Sequence, residues 1–540
     1  MFPSLVTWNN ARMANLVLVN GKIYTMSSSR PCAHAIALAD GRVAAYDDDA
    51  LAMRDARTEV IDLRGRAVIP GLVDHHIHFT AYAASRARVN LDGARSLEEA
   101  IARVAARVAN AKSGEWIIGG GWNNLDWVKP GFPTKAPLDA VAPNNPVVLD
   151  RKDGHSVWVN SAALSTRGIT RDTHVLDGGV IERDAAGEPN GILRENAMEL
   201  FKGKRGFDAD EITSDELLNA IHAAHKLGLT GIHNIEGASA LAAFQQLRAK
   251  DELTLRVTHM IPAANLDHAL ALGLRGGLGD EWLRIGGVKI FADGSLGSQT
   301  AWMLEPFEGS DNRGVATHSP EQIEHWARAA ASAGMMVCTH AIGDRANREV
   351  LHVYEKLRRE GFDAPLRIEH AQHLHPADIP RFAALNVTAS MQPIHATSDY
   401  EMADEYLGAR GRYAYAFKSL SAGASLIFGS DCPVETLDPW AGMHAAVTRE
   451  RADGSPRGGW YPEEKLSVED AVRPYLPPLS KMGDDGTSLA RRKAPPGGRA
   501  IGGGGDWIVL AQDIFAIPPR EILETRVEYT IVGGKIVYAA

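Results

Sequence analysis

Residues 67–78 read AVIPGLVDHHIH, an apolar run that ends in a His-x-His pair. Seven further apolar runs follow: LTGIHNI (229–235), LRVTHMI (255–261), LRIGGVKIF (283–291), GMMVCTH (334–340), LRIEH (366–370), NVTASMQP (386–393) and ASLIFGSD (424–431). Such runs are typical of buried parallel strands, and helical signals separate them, such as the Ser319-Pro320 start and Gly334 stop of SPEQIEHWARAAASAG. Eight strands alternating with helices predict an α/β fold, a (β/α)8 TIM barrel.

Both ends of the chain have the pattern of short β-strands. NLVLVNGKIYTM and AIALADGRVAAY each contain a hairpin-type turn, at residues 20–21 and 40–41. The C-terminal end contains WIVLAQDIF and VEYTIVGGKIVYA. We predict that residues 1–68 and 506–540 together form a small β-sandwich.

Between these ends, the predicted barrel occupies residues 69–78 and 205–475. The gap after the first barrel strand is too long for one crossover helix, so we predict that residues 79–204 form an inserted subdomain. Its motifs GGGWNNLDW and DGHSVWVNSAAL mix aromatic and polar residues, which suits a wall of a substrate pocket. Residues 476–505 crowd Pro, Gly and Arg without a period and are interpreted as an atypical linker.

Composition narrows the classes of function. The chain has 57 basic and 67 acidic residues, so it presents no general positive charge for nucleic acid or an anionic membrane, and a small-molecule substrate is expected. No segment approaches the run of about 18 apolar residues that spans a bilayer, and the N-terminal sequence lacks a signal-peptide pattern. Only 3 cysteines in 540 residues favour a reducing compartment, and we expect a cytoplasmic location.

Side chains able to bind metal gather at the predicted C-terminal ends of the strands. Asp74, His76 and His78 alternate along the first strand, so strand parity directs all three to one side. Taken alone, the His-x-His pair also fits a hydrogen-bonded pair in the core. A metal site is favoured by the residues at other strand ends: Lys289, His340, His370 and Asp431.

Lys289 is an unusual residue for the interior of a barrel. Burial among carboxylates and imidazoles disfavours its ammonium form, so the pKa falls toward that of a neutral amine. A neutral amine can react with carbon dioxide, and the resulting carbamate is an anionic oxygen donor able to bridge two divalent cations. An ion pair or a surface lysine is the competing interpretation of Lys289 taken alone.

Five motifs contain these residues: PGLVDHHIH from residue 70, VKIFADGSLGSQTA from 288, HAIGDRA from 340, RIEHAQ from 367 and FGSDCPV from 428. Together they resemble the amidohydrolase superfamily, in particular its amidohydrolase family 3 branch, which includes N-substituted formamide deformylase. DGHSVWVNSAAL and PNGILRE in the inserted segment are similar to that branch too. The resemblance implies a metal-dependent hydrolase on a (β/α)8 barrel, assembled as a homo-dimer or larger oligomer.

The resemblance also implies which residues bind two divalent metal ions. His76, His78 and Asp431 are assigned to one ion, His340 and His370 to the other, and Lys289, carboxylated by carbon dioxide or bicarbonate, to the bridge between them. Nitrogen and oxygen donors with an open position favour zinc, and Mn, Co, Ni or Fe remain alternatives. A hydroxide shared by the ions would attack the substrate carbonyl, and Asp431 would move the proton to the departing nitrogen.

Further residues are candidates for substrate binding or catalysis, each with a structural alternative. His155 and His233 could donate to the substrate carbonyl or the oxyanion, or make ordinary hydrogen bonds. Trp122, Trp158, Phe291 and Trp302 could form an apolar wall or pack in the core. Glu195, His395 and Asp344 could position the substrate, Asp74 could orient a ligand histidine or cap a turn, and Cys338 is expected to fill the barrel.

The predicted reaction is hydrolysis of a C–N bond in a small amide, N-substituted formamide or carbamate. A deaminase or cyclic-amide hydrolase of the same superfamily is the nearest alternative. The mononuclear deaminases place His-x-x-Glu after the fifth strand, whereas here His340 is followed by AIGD. A non-catalytic binding protein on the same barrel is the alternative from another class.

Two departures from the family pattern stand out. Residues 486–506 read GTSLARRKAPPGGRAIGGGGD where relatives have a segment like Gly-Ser-Leu-x-x-Gly-Lys-x-Ala-Asp. We hypothesise a compensated reading-frame change, or sequencing errors, between residues 474 and 505, which resequencing of the coding DNA would test. Asn234 stands where relatives often have Asp, which weakens any charged role at that position.

Overall fold

A computed structural model describes residues 13–91, 93–124, 127–128, 131–151, 156–174, 179–201, 212–297, 299–477 and 504–540. The chain forms two compact units. The first comprises Met1–Phe79 and Ile221–Ala540, and the second comprises Thr80–Ala220. Most of the atypical linker predicted at residues 476–505 lies outside the described residues.

Eight parallel strands, hydrogen-bonded in chain order, form the sheet of the barrel in the first unit. They are β1 (Leu72–Ile77), β2 (Leu229–Ile235), β3 (Arg256–Pro262), β4 (Leu283–Phe291), β5 (Met336–Ala341), β6 (Leu366–His370), β7 (Val387–Met391) and β8 (Ser425–Phe428). Each contains the centre of one predicted apolar run, so the TIM barrel and its strand count are confirmed. Nearly all residues of these strands are buried, which explains their continuous apolar pattern.

Helices connect the barrel strands from β2 onward. The α-helices after β2 are Ala238–Ala249, Leu266–Ala271, Pro320–Ser332, Asp344–Arg359, Ile379–Ala384, Pro393–Ser398, Tyr400–Leu407, Phe417–Ser421, Pro439–Thr448 and Val468–Val472, and Ser214–Lys226 precedes β2. Ser319 caps Pro320–Ser332 by accepting a hydrogen bond from the Gln322 N–H, as its sequence predicts. Among the described residues, no helix is long and apolar enough to cross a membrane.

The last strand meets the first at the C-terminal end of the barrel. The Asp431 N–H donates to the His76 carbonyl at 2.8 Å, and the His78 N–H donates to the Cys432 carbonyl at 2.9 Å. Gly429 permits this approach, because a Cβ there would lie 2.4 Å from the His76 nitrogen. Barrel closure therefore brings His76 of β1, and His78 just after it, beside the aspartate that follows β8.

The β-sandwich is built from both ends of the chain, as predicted. One sheet has the order Arg42–Tyr46, Ile36–Ala39, Leu16–Val19, Glu59–Asp62. The other has the order Lys535–Ala539, Val527–Val532, Trp507–Leu510, Ala67–Pro70, Lys22–Tyr24, Cys32–Ala33. Leu18, Val68, Trp507 and Ile531 belong to one buried apolar cluster, so strands from both termini share a core.

One predicted hairpin is wrong. The turn at residues 40–41 joins two paired antiparallel strands, as predicted. The turn at residues 20–21 does not, because the strands on either side of it, Leu16–Val19 and Lys22–Tyr24, belong to different sheets. A type I′ hairpin needs positive φ at both central residues. Asn20 has a φ of 57°, whereas Gly21 has no positive φ, and a Cβ on Gly21 would lie 2.2 Å from Leu63. The Asn-Gly pair therefore forms a corner between the two sheets.

The first apolar run also forms two strands rather than one. Ala67–Pro70 pairs with Trp507–Leu510 in the sandwich, and β1 starts after Gly71. A Cβ on Gly71 would lie 2.4 Å from the Thr230 side chain, so the absence of a side chain allows the chain to pass from the sandwich into the barrel. Residues 69–70, which were predicted as barrel, therefore belong to the sandwich sheet.

The second unit, Thr80–Ala220, overlaps the segment predicted as an inserted subdomain, residues 79–204. Its six-stranded sheet has the order Gly179–Arg183, Pro189–Glu195, Ser156–Val159, Val147–Arg151, Ile117–Trp122, Val89–Asn90. Its helices are Leu97–Val108, Ala136–Val141 and Ser161–Thr166, and Phe79–Ala87 begins at the boundary. Trp122, Trp127 and Trp158 lie in one buried cluster of this unit.

A buried ion pair ties the C-terminal strands to the barrel. Arg256 on β3 donates from Nε and Nη2 to Asp506 at 2.7 and 3.0 Å, and both side chains are almost fully buried. The Asp506 carboxylate also accepts the Gly533 N–H at 2.7 Å. Asp506 therefore connects the barrel, the start of the C-terminal strands and their last hairpin.

We expect Asp506→Ala to lower the free energy of unfolding by about 3–5 kcal/mol, because the substitution removes the buried carboxylate that pairs with Arg256 and leaves only the exposed carboxylate of Glu281, 3.1 Å from Arg256 Nη1. Denaturant titration followed by circular dichroism measures this loss. Glu305→Ala is the matched control, since it removes an exposed carboxylate that lies 3.4 Å from Arg313. Equal stability losses in the two variants would contradict the assigned role of Asp506.

Candidate metal centre

Three of the predicted metal ligands form a tight buried group. One potential ligand atom each from His76, His370 and Asp431 lies within 4.8 Å of the other two. His78 joins the group through Asp431, because Asp431 Oδ1 lies 3.2 Å from His78 Nε2 and 3.3 Å from His76 Nε2. Two donors at about 2.0–2.1 Å from a tetrahedral ion are about 3.3 Å apart, so these separations fit ligands of one metal ion.

The carboxylate of Asp431 is charged in this setting. Burial alone raises its pKa, but His76, His78 and His370 outweigh that effect and hold the pKa of Asp431 well below its usual range. Asp431 also has a φ of 57°, in the left-handed region, at the turn that follows β8. The turn thus presents an anionic oxygen to the imidazole nitrogens of His76 and His78.

His370 and His340 are neighbours, but their nitrogens face different groups. His370 Nδ1 lies 2.8 Å from Gln392 Oε1, which leaves Nε2 available to a metal, and its ring centroid is 4.5 Å from that of His340. His340 Nε2 instead lies 3.0 Å from the Gly294 carbonyl. Burial lowers the pKa of His340 to about 3, so its imidazole is neutral. In this structure, a ligand atom of His370 therefore lies near those of His76 and Asp431, whereas His340 Nε2 faces the Gly294 carbonyl.

Lys289 on β4 is only 3% exposed. Burial lowers its pKa, against the opposing charges of Glu369 and Asp431. Within the described part of the chain, Lys289 makes no ion pair, and its Nζ lies 5.0 Å from the centroid of the Phe291 ring. The alternatives of an ion pair and a surface lysine are therefore not what the structure shows.

Asp74 caps a turn rather than contacting a ligand imidazole. Its carboxylate accepts the backbone N–H groups of His76 at 3.0 Å and of Ser430 at 3.0 Å. Burial raises the pKa of Asp74 to about 6. These bonds fasten the turn after β8 to β1, so Asp74 supports the position of the ligand residues on both segments.

The main residues that sequence reasoning missed lie on β6. The carboxylate of Glu369 accepts a hydrogen bond from His76 Nδ1 at 2.6 Å and another from Arg367 Nε at 2.6 Å. Burial raises the pKa of Glu369, but Arg367 and His76 hold it well below its usual range. The signal was present in LRIEH, because two charged residues on one face of a fully buried strand require partners.

Asp293 was also missed. It accepts backbone N–H groups from Ile342, Gly343 and Trp302 at 3.0, 2.7 and 2.8 Å, and it lies 3.5 Å from His340 Nε2. Burial raises the pKa of Asp293 to about 7. Asp293 thereby connects the loops after β4 and β5 beside the metal centre. A lone Asp within VKIFADG offered no pattern from which this role could be predicted.

Two predicted substrate-binding residues lie at the metal centre. Phe291 is 41% exposed, and its ring centroid is 5.2 Å from that of His340. His395 Nε2 lies 3.9 Å from Asp431 Oδ2 and is a buried atom without a hydrogen-bond partner among the described residues. The Phe291 ring therefore lies beside Lys289 and His340, and the unsatisfied imidazole nitrogen of His395 lies beside Asp431.

The other candidates have structural partners of their own. His233 Nδ1 lies 2.7 Å from Arg367 Nη1, the Trp302 ring lies 4.8 Å from the Arg345 guanidinium, and Asp344 accepts the Leu304 N–H at 2.8 Å. Cys338 packs with Ile235 and Met260 inside the barrel, as expected.

In the insertion, the indoles of Trp122 and Trp158 are fully buried and donate to the carbonyls of Leu149 and Thr134. Glu195 ends the strand Pro189–Glu195 of the same unit. Contact of these three residues with a substrate stays a prediction. His155 lies outside the described residues.

The donor set fits a divalent metal ion. Imidazole nitrogens and a carboxylate oxygen are ligands that zinc accepts, and the partners of the outer nitrogens of His76 and His370 leave both Nε2 atoms for coordination. A (β/α)8 barrel with such donors at the C-terminal ends of its strands has the architecture of a metal-dependent hydrolase. The chain matches the sequence model of the amidohydrolase family over residues 59–538, and it belongs to that family.

Individual relatives agree with this assignment. The chain is 36% identical over 485 residues to Protein LONG AFTER FAR-RED 3 of Arabidopsis thaliana, covering 85% of this chain and 82% of the relative. It is 27% identical to N-substituted formamide deformylase of Arthrobacter pascens, covering 98% and 99%. The crystal structure of an uncharacterized metal-dependent hydrolase from Pyrococcus horikoshii OT3 superposes with a TM-score of 0.72 at 28% identity, covering 93% and 99%.

Proposed function

We propose that this protein hydrolyses a C–N bond in a small amide, N-substituted formamide or carbamate, with two divalent metal ions bound at the centre. The observation that supports the proposal most is the contact of Asp431 Oδ1 with two imidazole nitrogens, at 3.2 and 3.3 Å, near the buried Lys289. The deformylase activity named for the Arthrobacter pascens relative supports the substrate class.

We assign the metal-binding residues to two ions, with His370 at the boundary between them, because one of its ligand atoms also lies within 4.8 Å of His76 and Asp431. His76, His78 and Asp431 would hold one ion, His370 and His340 the other, and Lys289, carboxylated by carbon dioxide, would connect them. Zinc is the proposed metal. Bound divalent ions would polarise the substrate carbonyl and lower the pKa of water toward about 7. His340 would have to rotate from Gly294 to contribute its Nε2, because that nitrogen now faces the carbonyl.

Asp431 is proposed to move the proton from the attacking water to the departing nitrogen. Its charged carboxylate can accept a proton, and return of that proton avoids release of a poor amide anion. One oxygen of Asp431 faces the imidazoles of His76 and His78, and the other is 3.9 Å from His395. The second oxygen is therefore proposed as the one that transfers the proton.

Metal analysis combined with a substrate panel tests the proposal. We expect about two divalent ions per chain and hydrolysis of at least one compound among N-formyl, N-acyl, carbamate and lactam substrates, with release of the amine. Release of ammonia from an amino-substituted ring would instead identify a deaminase. If the protein stays inactive and metal-free after addition of zinc and bicarbonate, the proposed hydrolase function is wrong.

Phe291 is proposed to contact the apolar substituent of the substrate. We expect Phe291→Ala to raise KM about tenfold or more for substrates with an apolar N-substituent and to change kcat little, because the lost apolar contact is worth about 1–3 kcal/mol. Steady-state kinetics on a series of N-alkyl formamides of increasing length measures the effect.

Leu272→Ala is the matched control, since Leu272 is 80% exposed on the helix side of the barrel. We expect unchanged kinetics for that variant. If KM of the Phe291 variant did not depend on the length of the alkyl group, the proposed apolar contact would be wrong.

A further inference from the structure

A pair of oppositely charged residues lies inside the barrel on β6, directly behind the metal centre. Arg367 is 3% exposed and Glu369 is fully buried. Arg367 Nε donates to Glu369 Oε1 at 2.6 Å, and the other two nitrogens of the guanidinium donate to the His75 carbonyl at 2.7 Å and to His233 Nδ1 at 2.7 Å. The pair is thus hydrogen-bonded to both β1 and β2.

The hydrogen bond between Glu369 and His76 determines which nitrogen of His76 has the proton. A charged carboxylate only accepts hydrogen bonds, so the Nδ1 atom 2.6 Å from Glu369 Oε2 must be the donor. A neutral His76 then has its lone pair on Nε2, and this is the atom that faces Asp431. Glu369 therefore presents His76 in the form that a metal ion binds.

The contact between Arg367 and His233 places the proton of the His233 ring on the other nitrogen, Nε2. A guanidinium has no acceptor, so His233 Nδ1, 2.7 Å from Arg367 Nη1, must be the acceptor. Burial and the nearby charge of Arg367 keep the pKa of His233 well below its usual value, so the ring is neutral. Its one proton is then on Nε2, which makes His233 a hydrogen-bond donor.

We propose that the Arg367–Glu369 pair is a positioning device that sets His76 and His233 in opposite tautomers. His76 is held as a metal ligand through Nε2, and His233 is held as a hydrogen-bond donor through Nε2–H. The inference rests on the proposed metal-ligand role of His76. Neither Arg367 nor Glu369 contacts the reacting atoms, and both act through the two histidines.

Only a carboxylate fits position 369 under this proposal. Two donors, Arg367 Nε–H and His76 Nδ1–H, face its two oxygens. A glutamine offers one acceptor and one donor. Its oxygen would face the charged guanidinium, and its amide group would then face His76 Nδ1. That arrangement moves the imidazole proton to Nε2, where it opposes metal binding.

Metal affinity of Glu369→Gln tests the inference. We expect chelator competition with the zinc-loaded protein to show a loss of zinc affinity of about 10–100-fold, the usual effect of removing the partner of a ligand histidine. In a His76→Ala background, the same substitution is expected to cause no further loss, because Glu369 acts through His76. A loss of equal size in both backgrounds would indicate a general structural effect and would overturn the inference.

Further variants distinguish a wrong positioning role from a wrong metal site and from misfolding of the variant. Glu464→Gln alters another buried carboxylate, which accepts the Ser419 N–H at 3.0 Å, and is expected to retain the zinc affinity of the wild type. Wild-type affinity in His76→Ala would overturn the proposed metal site itself. If Glu369→Gln does not fold, Glu369→Asp keeps the charge but withdraws the oxygen from His76. Wild-type affinity in that variant would overturn the positioning role.

A spectroscopic test of the two tautomers leaves Arg367 and Glu369 unchanged. ¹⁵N NMR spectra of histidine-labelled, zinc-loaded protein distinguish protonated from unprotonated ring nitrogens, and His76→Ala and His233→Ala assign the two signals by their loss. We expect the proton on Nδ1 in His76 and on Nε2 in His233. The same tautomer in both rings would overturn the proposal.

Discussion

Lys289→Ala is expected to lose most of the bound metal and to lower kcat/KM by roughly a thousandfold or more, because under the proposed function Lys289 connects two metal ions that would stabilise the transition state. Lys289 is suited to carboxylation because burial lowers its pKa and it has no ion-pair partner among the described residues. Elemental analysis and kinetics on the same preparations measure both losses.

Carboxylation of Lys289 has a direct signature. Protein loaded with zinc in ¹³C-bicarbonate is expected to show one carbamate carbon signal that is missing in Lys289→Ala. Lys356→Ala is the matched control, because Lys356 is an exposed lysine 2.8 Å from Glu324. Normal metal content in Lys289→Ala would refute the bridging role, and a carbamate signal that persists in that variant would place the modification on another residue.

Asp431→Asn is expected to lower kcat by about 10²–10⁴-fold, the range of general acid–base catalysis. Asparagine retains the size of the side chain but cannot accept and return a proton. It also lacks the charge that faces His76 and His78, so metal affinity falls as well. Measuring kcat at saturating zinc, with metal content determined in the same sample, separates proton transfer from metal loss.

Asp438→Asn provides the comparison for Asp431. Asp438 lies in the same loop region and caps the helix Pro439–Thr448 by accepting the Trp440 N–H at 2.9 Å. Its substitution is expected to change thermal stability slightly and kcat not at all. If fully metal-loaded Asp431→Asn kept the kcat of the wild type, another group would have to move the proton.

The barrel was predictable because its signal is local. Each barrel strand is buried on both faces, so each forms a continuous apolar run that is visible without neighbours. The division at Gly71 was not predictable. The run from residue 67 to 78 is equally apolar in the sandwich and in the barrel, and only the close approach of Thr230 shows why the chain changes layer at that glycine.

The contrast between local signals and distant packing also explains why the hairpin predicted at residues 20–21 is wrong. Asn-Gly is a strong local signal for a two-residue turn. The side chain of Leu63, which is 42 residues away from Gly21, occupies the space beside the glycine and belongs to the sandwich core. Packing between distant segments therefore decided the path of the chain at Gly21, against the local preference.

The sequence by itself determined which residue types stand at the strand ends, because strand parity and the position after each apolar run follow from local spacing. Only the tertiary structure decided how those residues are partnered. It placed Glu369 against His76, Arg367 against His233 and Asp74 against the turn after β8. The physical reason is that each bond joins strands far apart in the chain, so barrel closure rather than local spacing selects the partners.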